Sequence, residues 1–87
     1  MQNDVLRVIE SKHCMSTLVF LSDHGPSTKM EIYDNVSKNP KMPEKIESME
    51  AAGLLTIETV SKRSSEVTLT RKGEMIAELL KRIQKVK

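Results

Sequence analysis

Aromatic residues are nearly absent from this chain of 87 residues. It contains no tryptophan, and its two aromatic residues are Phe20 and Tyr33. A protein that binds single-stranded nucleic acid by stacking needs exposed rings for the bases, so the composition excludes that mode of binding. We expect both rings to lie in the hydrophobic core.

Cysteine is equally scarce, and the sequence lacks the spacing of a metal site. Cys14 is the single cysteine, so the chain cannot form an internal disulfide, and this suits a reducing compartment. His13, Cys14, Asp23 and His24 are the only candidate metal ligands, but motifs such as C-x₂-C or H-x₃-H are missing. We expect no metal and no cofactor, and we expect Cys14 to be a small buried hydrophobe.

Long apolar runs and catalytic signatures are also missing. The longest apolar run is Leu18–Leu21, which is too short for a membrane span or a secretory signal. There is no phosphate-binding glycine loop, no dinucleotide fingerprint and no Ser–His–Asp arrangement. We therefore expect a cytoplasmic protein that is not an enzyme and does not bind membranes.

The length and the charge distribution indicate the kind of partner. Eighty-seven residues are enough for one domain, residues 1–87, and a domain this small is marginally stable without a partner subunit. The net charge is only +2, yet from Thr59 onward eight basic residues stand against three acidic ones. A basic half of this kind favours an anionic partner such as nucleic acid.

Local signals predict four helices in the first half of the chain. The first helix is expected to begin after a cap at Asn3 or Asp4 and to run to about Ser11. The second covers Met15–Asp23 and stops at Gly25-Pro26; the two stretches form either one bent helix or two short ones. The third is expected to begin at Ser27 as its cap. Its buried side comprises Met30, Ile32, Tyr33 and Val36.

The fourth helix covers about residues 41–52, with Pro43 in its first turn. Ile46 and Met49 point inward at helical spacing, and Gly53 ends the helix. A period-two alternation from Leu54 to Val60, resumed at Val67 and Leu69, predicts a two-stranded hairpin over about residues 54–70. Lys62 and Arg63 lie at its tip.

Thr70 is expected to cap a C-terminal helix over about residues 71–86. Its apolar residues recur at helical spacing and are Ile76, Leu79, Leu80, Ile83 and Val86. The predicted fold is therefore α+β and mostly helical. Three helices form its core, a two-stranded hairpin follows, and a further helix ends the chain. A short helix pair followed at once by a basic hairpin is typical of a helix-turn-helix with a wing.

Three segments follow one another with a characteristic spacing. The first contains Met15–Leu21, Gly25-Pro26-Ser27 and Glu31-Ile32. The second, Ile46–Leu54, resembles the pattern L-x-x-L-E-x-x-G-L, with Ile46 and Met49 at its first two leucine positions. The third, Val67–Gly73, contains L-T-x-x-G. Together they resemble the small bacterial and archaeal winged-helix transcriptional regulators of the MarR and HxlR types. The resemblance implies a homodimer on palindromic duplex DNA. It also offers a redox-sensing role for Cys14 as an alternative to simple burial.

The fourth helix is the expected DNA-reading element, but its charge is unusual. Its outward side carries Glu44, Ser48 and Ala51, with Lys41 and Glu47 beside them and Lys45 on a flank. A glutamate can accept a hydrogen bond from a cytosine amino group; the other interpretation is that these acids complement the helix dipole. The predicted DNA-contact residues are Ser27, Thr28, Lys29, Lys41, Glu44, Lys45, Ser48, Lys62, Arg63 and Ser64.

The apolar face of the last helix is longer than a small core needs. We expect it to pack against the same helix of a second subunit. The expected dimer-interface residues are Val5, Leu6, Ile9, Ile76, Leu79, Leu80, Ile83 and Val86. The alternative is that this face covers its own domain. A second function class also stays open, because the acidic fourth helix would suit a winged-helix module that binds protein and no DNA.

Overall fold

The computed structural model describes residues 5–86, which form five helices and three strands. In chain order the elements are α1 (Val5–Glu10), α2 (Cys14–His24), β1 (Ser27–Thr28), α3 (Lys29–Asn35), α4 (Met42–Ala51), β2 (Leu55–Ser61), β3 (Ser64–Leu69) and α5 (Arg71–Gln84). The strands form an antiparallel sheet in the order β1-β3-β2. The α+β, mostly helical class is confirmed. The predicted cap at Asn3 or Asp4 lies outside the described residues.

The first strand adds to the predicted hairpin and corrects the predicted cap of α3. Ser27 pairs with Val67, and Thr28 pairs with Glu66, so the wing sheet has a third, two-residue strand. Thr28 is the cap of α3: its hydroxyl accepts from Glu31 N, and the Glu31 carboxylate accepts from Thr28 N. A two-residue strand has no alternation from which the sequence could predict it.

The first two helices are separate rather than one bent helix. Residues 11–13 connect them, and His13 has a φ of 74°. A non-glycine residue in this left-handed region reverses the chain direction too sharply for a continuous helix. The connection lets α1 fold back to lie beside α4, and this placement matters for the candidate site below.

The core lies between α2, α3, α4, α5 and the inner face of the sheet. Its fully buried apolar side chains include Leu18, Leu21, Ile32, Met42, Ile46, Met49, Leu54, Leu55 and Val67. Ile46 and Met49 are inward as predicted. Phe20 and Tyr33 are only half-buried, although both pack against the core. The prediction that Met30 is buried is wrong, because its side chain is 64% exposed.

The end of α4 is tied to the beginning of α5. Gly53 follows α4 with a φ of 81°, which glycine adopts without strain. The Thr70 hydroxyl donates to Gly53 O at 2.6 Å, and Lys72 Nζ donates to Ala52 O at 3.1 Å. A Cβ on Gly73 would overlap Leu54 O, so this glycine is what allows the two backbones to approach.

Candidate nucleic-acid interface

The wing tip and the beginning of α3 lie side by side. The turn of the hairpin consists of Lys62 and Arg63, as predicted, and β3 begins at Ser64. The pairing of Thr28 with Glu66 sets α3 against this strand. As a result Arg63 and Ser64 line one groove together with Thr28 and Lys29. We call these four residues, with Lys62, the wing surface.

The wing surface carries three cations whose charge is not neutralised within the described chain. In residues 5–86 the ion pairs join Lys38 to Asp34 and Lys81 to Asp23 and Glu78. Lys29, Lys62 and Arg63 have no carboxylate within 4 Å in that part of the protein. Exposed cations with adjacent hydroxyls are the groups that bind backbone phosphates, so this surface suits a phosphodiester chain.

Ser27, predicted as a DNA contact, is corrected by the structure. Its side chain is 1% exposed. Its hydroxyl donates to Gly25 O at 2.9 Å and lies 3.1 Å from His24 Nδ1. His24 in turn stacks on Phe20 with ring centroids 4.9 Å apart. Ser27 therefore fixes the turn before α3 and is not accessible to a partner.

The outer face of α4, which we define as Glu44, Glu47 and Ala51, is acidic. All three residues are exposed, and neither glutamate forms an ion pair within residues 5–86. On the wing side of the helix, the Glu50 carboxylate accepts from Ile57 N at 3.3 Å. Glu44 and Glu47, which the sequence analysis placed on the outward side of this helix, are thus exposed. The helix that carries them lies next to the wing.

The other predicted contacts on α4, Lys41, Lys45 and Ser48, lie on the side that faces α1, and Glu44 borders both this side and the outer face. Lys41, Glu44, Lys45 and Ser48 line a groove that Arg7, Ser11 and Cys14 complete. Lys45 lies on the flank that its spacing predicted, half-buried, and its Nζ donates to Ser11 Oγ at 2.8 Å. Sequence reasoning missed Arg7, because α1 is distant from α4 in the chain and only the turn at His13 brings them together. We call this the α1–α4 groove.

Cys14 forms the buried floor of the α1–α4 groove. It is 1% exposed, and burial raises the pKa of its thiol, while a hydrogen bond with Ser11 and the charge of Lys45 act in the opposite direction. A thiol is unreactive while it stays protonated. Within residues 5–86 no three His, Cys, Asp or Glu side chains are grouped closely enough to hold a metal ion.

The apolar face of α5 divides into two sides, one in the core and one exposed. Ala77 and Leu80 are buried, and Ile76 packs against the core. Three residues on the other side, Met75, Leu79 and Ile83, are each more than half exposed, and so is Val86, which lies just beyond the end of α5. We call these four the α5 stripe. Met75 was absent from the predicted interface, whereas Ile76 and Leu80 belong to the domain's own core.

The residues expected from α1 at the interface are also divided by the structure. Val5 and Ile9 are half-buried and pack against the core. Leu6 is 69% exposed. Near the end of α5, Met15 and Val19 of α2 line a groove with Ile83. The exposed apolar surface therefore continues from α5 onto α2.

Comparison with known proteins identifies the fold. No protein-family model matches this chain, and neither does any curated protein. Solved structures of AbfR do match. AbfR in its overoxidized form bound to DNA is 26% identical, with a TM-score of 0.60 over 74% of this chain and 49% of that one. Reduced AbfR bound to DNA is 22% identical, with a TM-score of 0.64 over 86% and 58%.

A third structure, of AbfR with its disulfide formed, is 20% identical, with a TM-score of 0.63 over 87% of this chain and 57% of that one. The fold is a winged helix. In this winged helix α3 and α4 form the helix-turn-helix, and β2 and β3 form the wing. The chain spans only about half to three-fifths of the length of the AbfR chains. None of the helices in the described part has the length and apolar character needed to cross a bilayer.

Proposed function

We propose that this protein is a DNA-binding transcriptional regulator that binds duplex DNA as a homodimer. The observation that carries the proposal is the wing surface, where Lys29 and Arg63 line one groove with Lys62 beside them in the hairpin turn, and where none of the three has a carboxylate partner within residues 5–86. Two structures of AbfR, which shares the fold, contain DNA. The narrower relation to regulators of the MarR or HxlR type and a cytoplasmic, non-enzymatic role are parts of the same proposal.

In the proposed complex α4 enters the major groove and the wing follows the adjacent backbone. An α-helix with its side chains is about 10–12 Å wide, which matches the width of the major groove. Lys62 and Arg63 then contact phosphates beside the groove, and Thr28 and Lys29 contact phosphates at the beginning of α3. Each phosphate that is neutralised releases counterions, so binding weakens steeply as salt rises.

Homodimer formation is supported by the α5 stripe. Met75, Leu79 and Ile83 follow one another at intervals of four residues and form one line along the helix. Val86 follows three residues after Ile83, just beyond the helix end. Exposed apolar side chains in a continuous line gain free energy when a second copy covers them. A two-fold axis along α5 would present two copies of α4 to a palindromic site.

An electrophoretic shift with the full chain and random-sequence duplex DNA tests the DNA proposal. At about 50 mM salt, micromolar protein should retard the duplex, because non-specific phosphate binding is strong at low ionic strength. The same protein at about 200 mM salt should retard it far less. If no shift occurs at the lower salt concentration, the proposal that this protein binds duplex DNA is wrong.

The dimer is tested by sedimentation of the wild type and of a variant carrying Leu79→Glu and Ile83→Glu. The wild type should sediment at twice the chain mass of 9.8 kDa, and the variant should be monomeric, because two charges would have to be buried. Both positions are exposed in the protomer, so the variant should keep its helical circular dichroism. A folded wild type that stays monomeric at high micromolar concentration contradicts the dimer.

The outer face of α4 favours a second candidate, a winged-helix module that binds a basic protein surface. Glu44 and Glu47 would repel phosphates but attract cationic side chains, and the exposed Met30 on the neighbouring α3 offers an adaptable apolar contact. This candidate predicts no shift of duplex DNA at low salt, so the first experiment separates the two functions.

A further inference from the structure

The α1–α4 groove collects positive charge on the side of α4 that faces away from the wing. Arg7, Lys41 and Lys45 line it, against a single carboxylate, Glu44. Glu50, on the opposite side of the same helix, bonds to β2 of the wing. The helix therefore runs between two cationic surfaces, the wing surface and this groove, and the acids of its outer face lie between them.

Within the described residues 5–86, the cations in the groove form no ion pair. Lys45 is half-buried, yet its Nζ donates to a neutral hydroxyl, that of Ser11, at 2.8 Å. Within residues 5–86 neither Arg7 nor Lys41 forms an ion pair or a side-chain hydrogen bond. Partial burial without neutralisation is unfavourable for an ammonium group. An anion placed in the groove would therefore gain charge-assisted hydrogen bonds at little desolvation cost to the protein.

We propose that the α1–α4 groove is a second phosphate-binding surface, which holds the DNA backbone on the far side of the major groove from the wing. This inference rests on the proposed function, because the phosphates it binds are those of the duplex that α4 enters. The Arg7 guanidinium can hold a phosphate with two parallel hydrogen bonds, and Lys41 adds a mobile point charge. The hydroxyl of Ser48 lies in the same groove as a further donor.

The width of B-DNA explains why two such surfaces are needed. The major groove is about 12 Å wide and is bordered by one phosphate backbone on each side. In the proposed complex the wing surface binds the phosphate backbone along one of these borders. An acidic helix pressed into the groove would be repelled by both backbones, so cations along both of its flanks would hold it there.

Charge reversal at the exposed residues of the groove tests the inference. Arg7→Glu and Lys41→Glu should each weaken binding of random duplex DNA roughly tenfold at about 50 mM salt and lower the salt slope by about one contact. Lys85→Glu is the matched control, since it makes the same change of two charge units at the C-cap of α5, outside the groove. Fluorescence anisotropy over a salt series measures both quantities.

Two results separate the failure of this inference from the failure of the proposed function. If Arg7→Glu and Lys85→Glu weaken binding equally while charge reversal at Lys62 and Arg63 abolishes it, the groove has no phosphate contact and the DNA-binding function stands. If the wild type does not bind duplex DNA at low salt, this result contradicts both the proposed function and the assignment of the groove to DNA.

A titration with inorganic phosphate distinguishes the backbone from a free anion. For a backbone site, amide resonances near Ser11 and Lys45 should shift only at high phosphate concentration, because a single phosphate lacks the rest of the duplex. Saturation at low phosphate concentration, together with unchanged DNA affinity of the Arg7→Glu variant, would overturn the assignment and identify the groove as a site for a small anion.

Discussion

The wing surface and the outer face of α4 are neighbours in this winged helix but carry charge of opposite sign. Lys29, Lys62 and Arg63 are unpaired cations within the described chain, whereas Glu44 and Glu47 are unpaired acids. In the proposed complex both elements face the same duplex. The fold therefore determines where these elements lie, whereas their side chains would decide which of them attracts DNA.

The consequence for recognition is a division of roles. Contacts to phosphates supply affinity that is independent of sequence, and contacts to base edges supply specificity. The surfaces on both flanks of α4 carry the cations that would contact phosphates. The outer face of α4 offers carboxylates, which accept hydrogen bonds from cytosine amino groups and have few other partners among the bases. We therefore expect strong dependence on salt and modest discrimination between sequences.

The largest effect is expected from reversing the charge of the wing tip. A variant with Lys62→Glu and Arg63→Glu should bind random duplex DNA roughly a hundredfold more weakly at about 50 mM salt, with a salt slope smaller by about two. Anisotropy titrations at several salt concentrations measure this. The control carries Lys12→Glu and Lys85→Glu, which change the net charge equally at exposed positions away from the wing. Equal losses in both variants would show that only net charge matters.

A smaller effect of opposite sign is expected from neutralising the outer face of α4. A variant with Glu44→Gln and Glu47→Gln should bind random duplex DNA roughly tenfold more tightly, because two charges that repel the phosphates are removed. Glu74→Gln with Glu78→Gln on α5 is the matched control. If the two variants behave alike, α4 does not lie near the duplex, and the wing acts without it.

The smallest effect concerns the thiol of Cys14, at the beginning of α2, which lies in the α1–α4 groove with Lys45. Burial raises the pKa of this thiol in the folded protein, so above about pH 8.5 the unfolded chain loses the proton first. The folded state then binds more protons than the unfolded state. The free energy of unfolding should therefore fall as pH rises, by at most about 1.4 kcal/mol per pH unit.

Urea unfolding of the wild type and of a Cys14→Ala variant between about pH 7 and pH 10 measures this term. The difference in stability between the two proteins should shrink toward the alkaline end, because the variant has no thiol to ionise. Other groups, such as Tyr33, are common to both and cancel in the difference. A stability difference that stays constant with pH would contradict the assignment.

Much of the fold could be predicted because its signals are local. Gly25 ends α2, Thr70 caps α5 by accepting from Gly73 N, and Ile46 and Met49 face inward at helical spacing. Each depends on a few neighbouring residues. The two-residue strand at Ser27 could not be predicted, because it exists only through its pairing with Val67, forty residues further along the chain.

The candidate site was predictable only in part, for the same reason. A hairpin tip is a local feature, so Lys62 and Arg63 were found from the sequence. Arg7 was not, because its place beside α4 depends on the left-handed backbone of His13, which nothing in the sequence signals. Met75 was missed because the helical period does not tell which half of a broad apolar face the domain itself covers.

The contact between α4 and α5 gives the molecule a mechanical property. Thr70 and Lys72 hold the backbone just after α4 through hydrogen bonds to Gly53 and Ala52, and Gly73 lets its backbone lie against Leu54. The fourteen residues of α5 form a rod about 21 Å long, with the α5 stripe extending to its far end. In a dimer formed through α5, each domain would rotate about the contact between the α5 helices of the two subunits. A small change in the crossing angle there would alter the distance between the two half-sites that the pair can span.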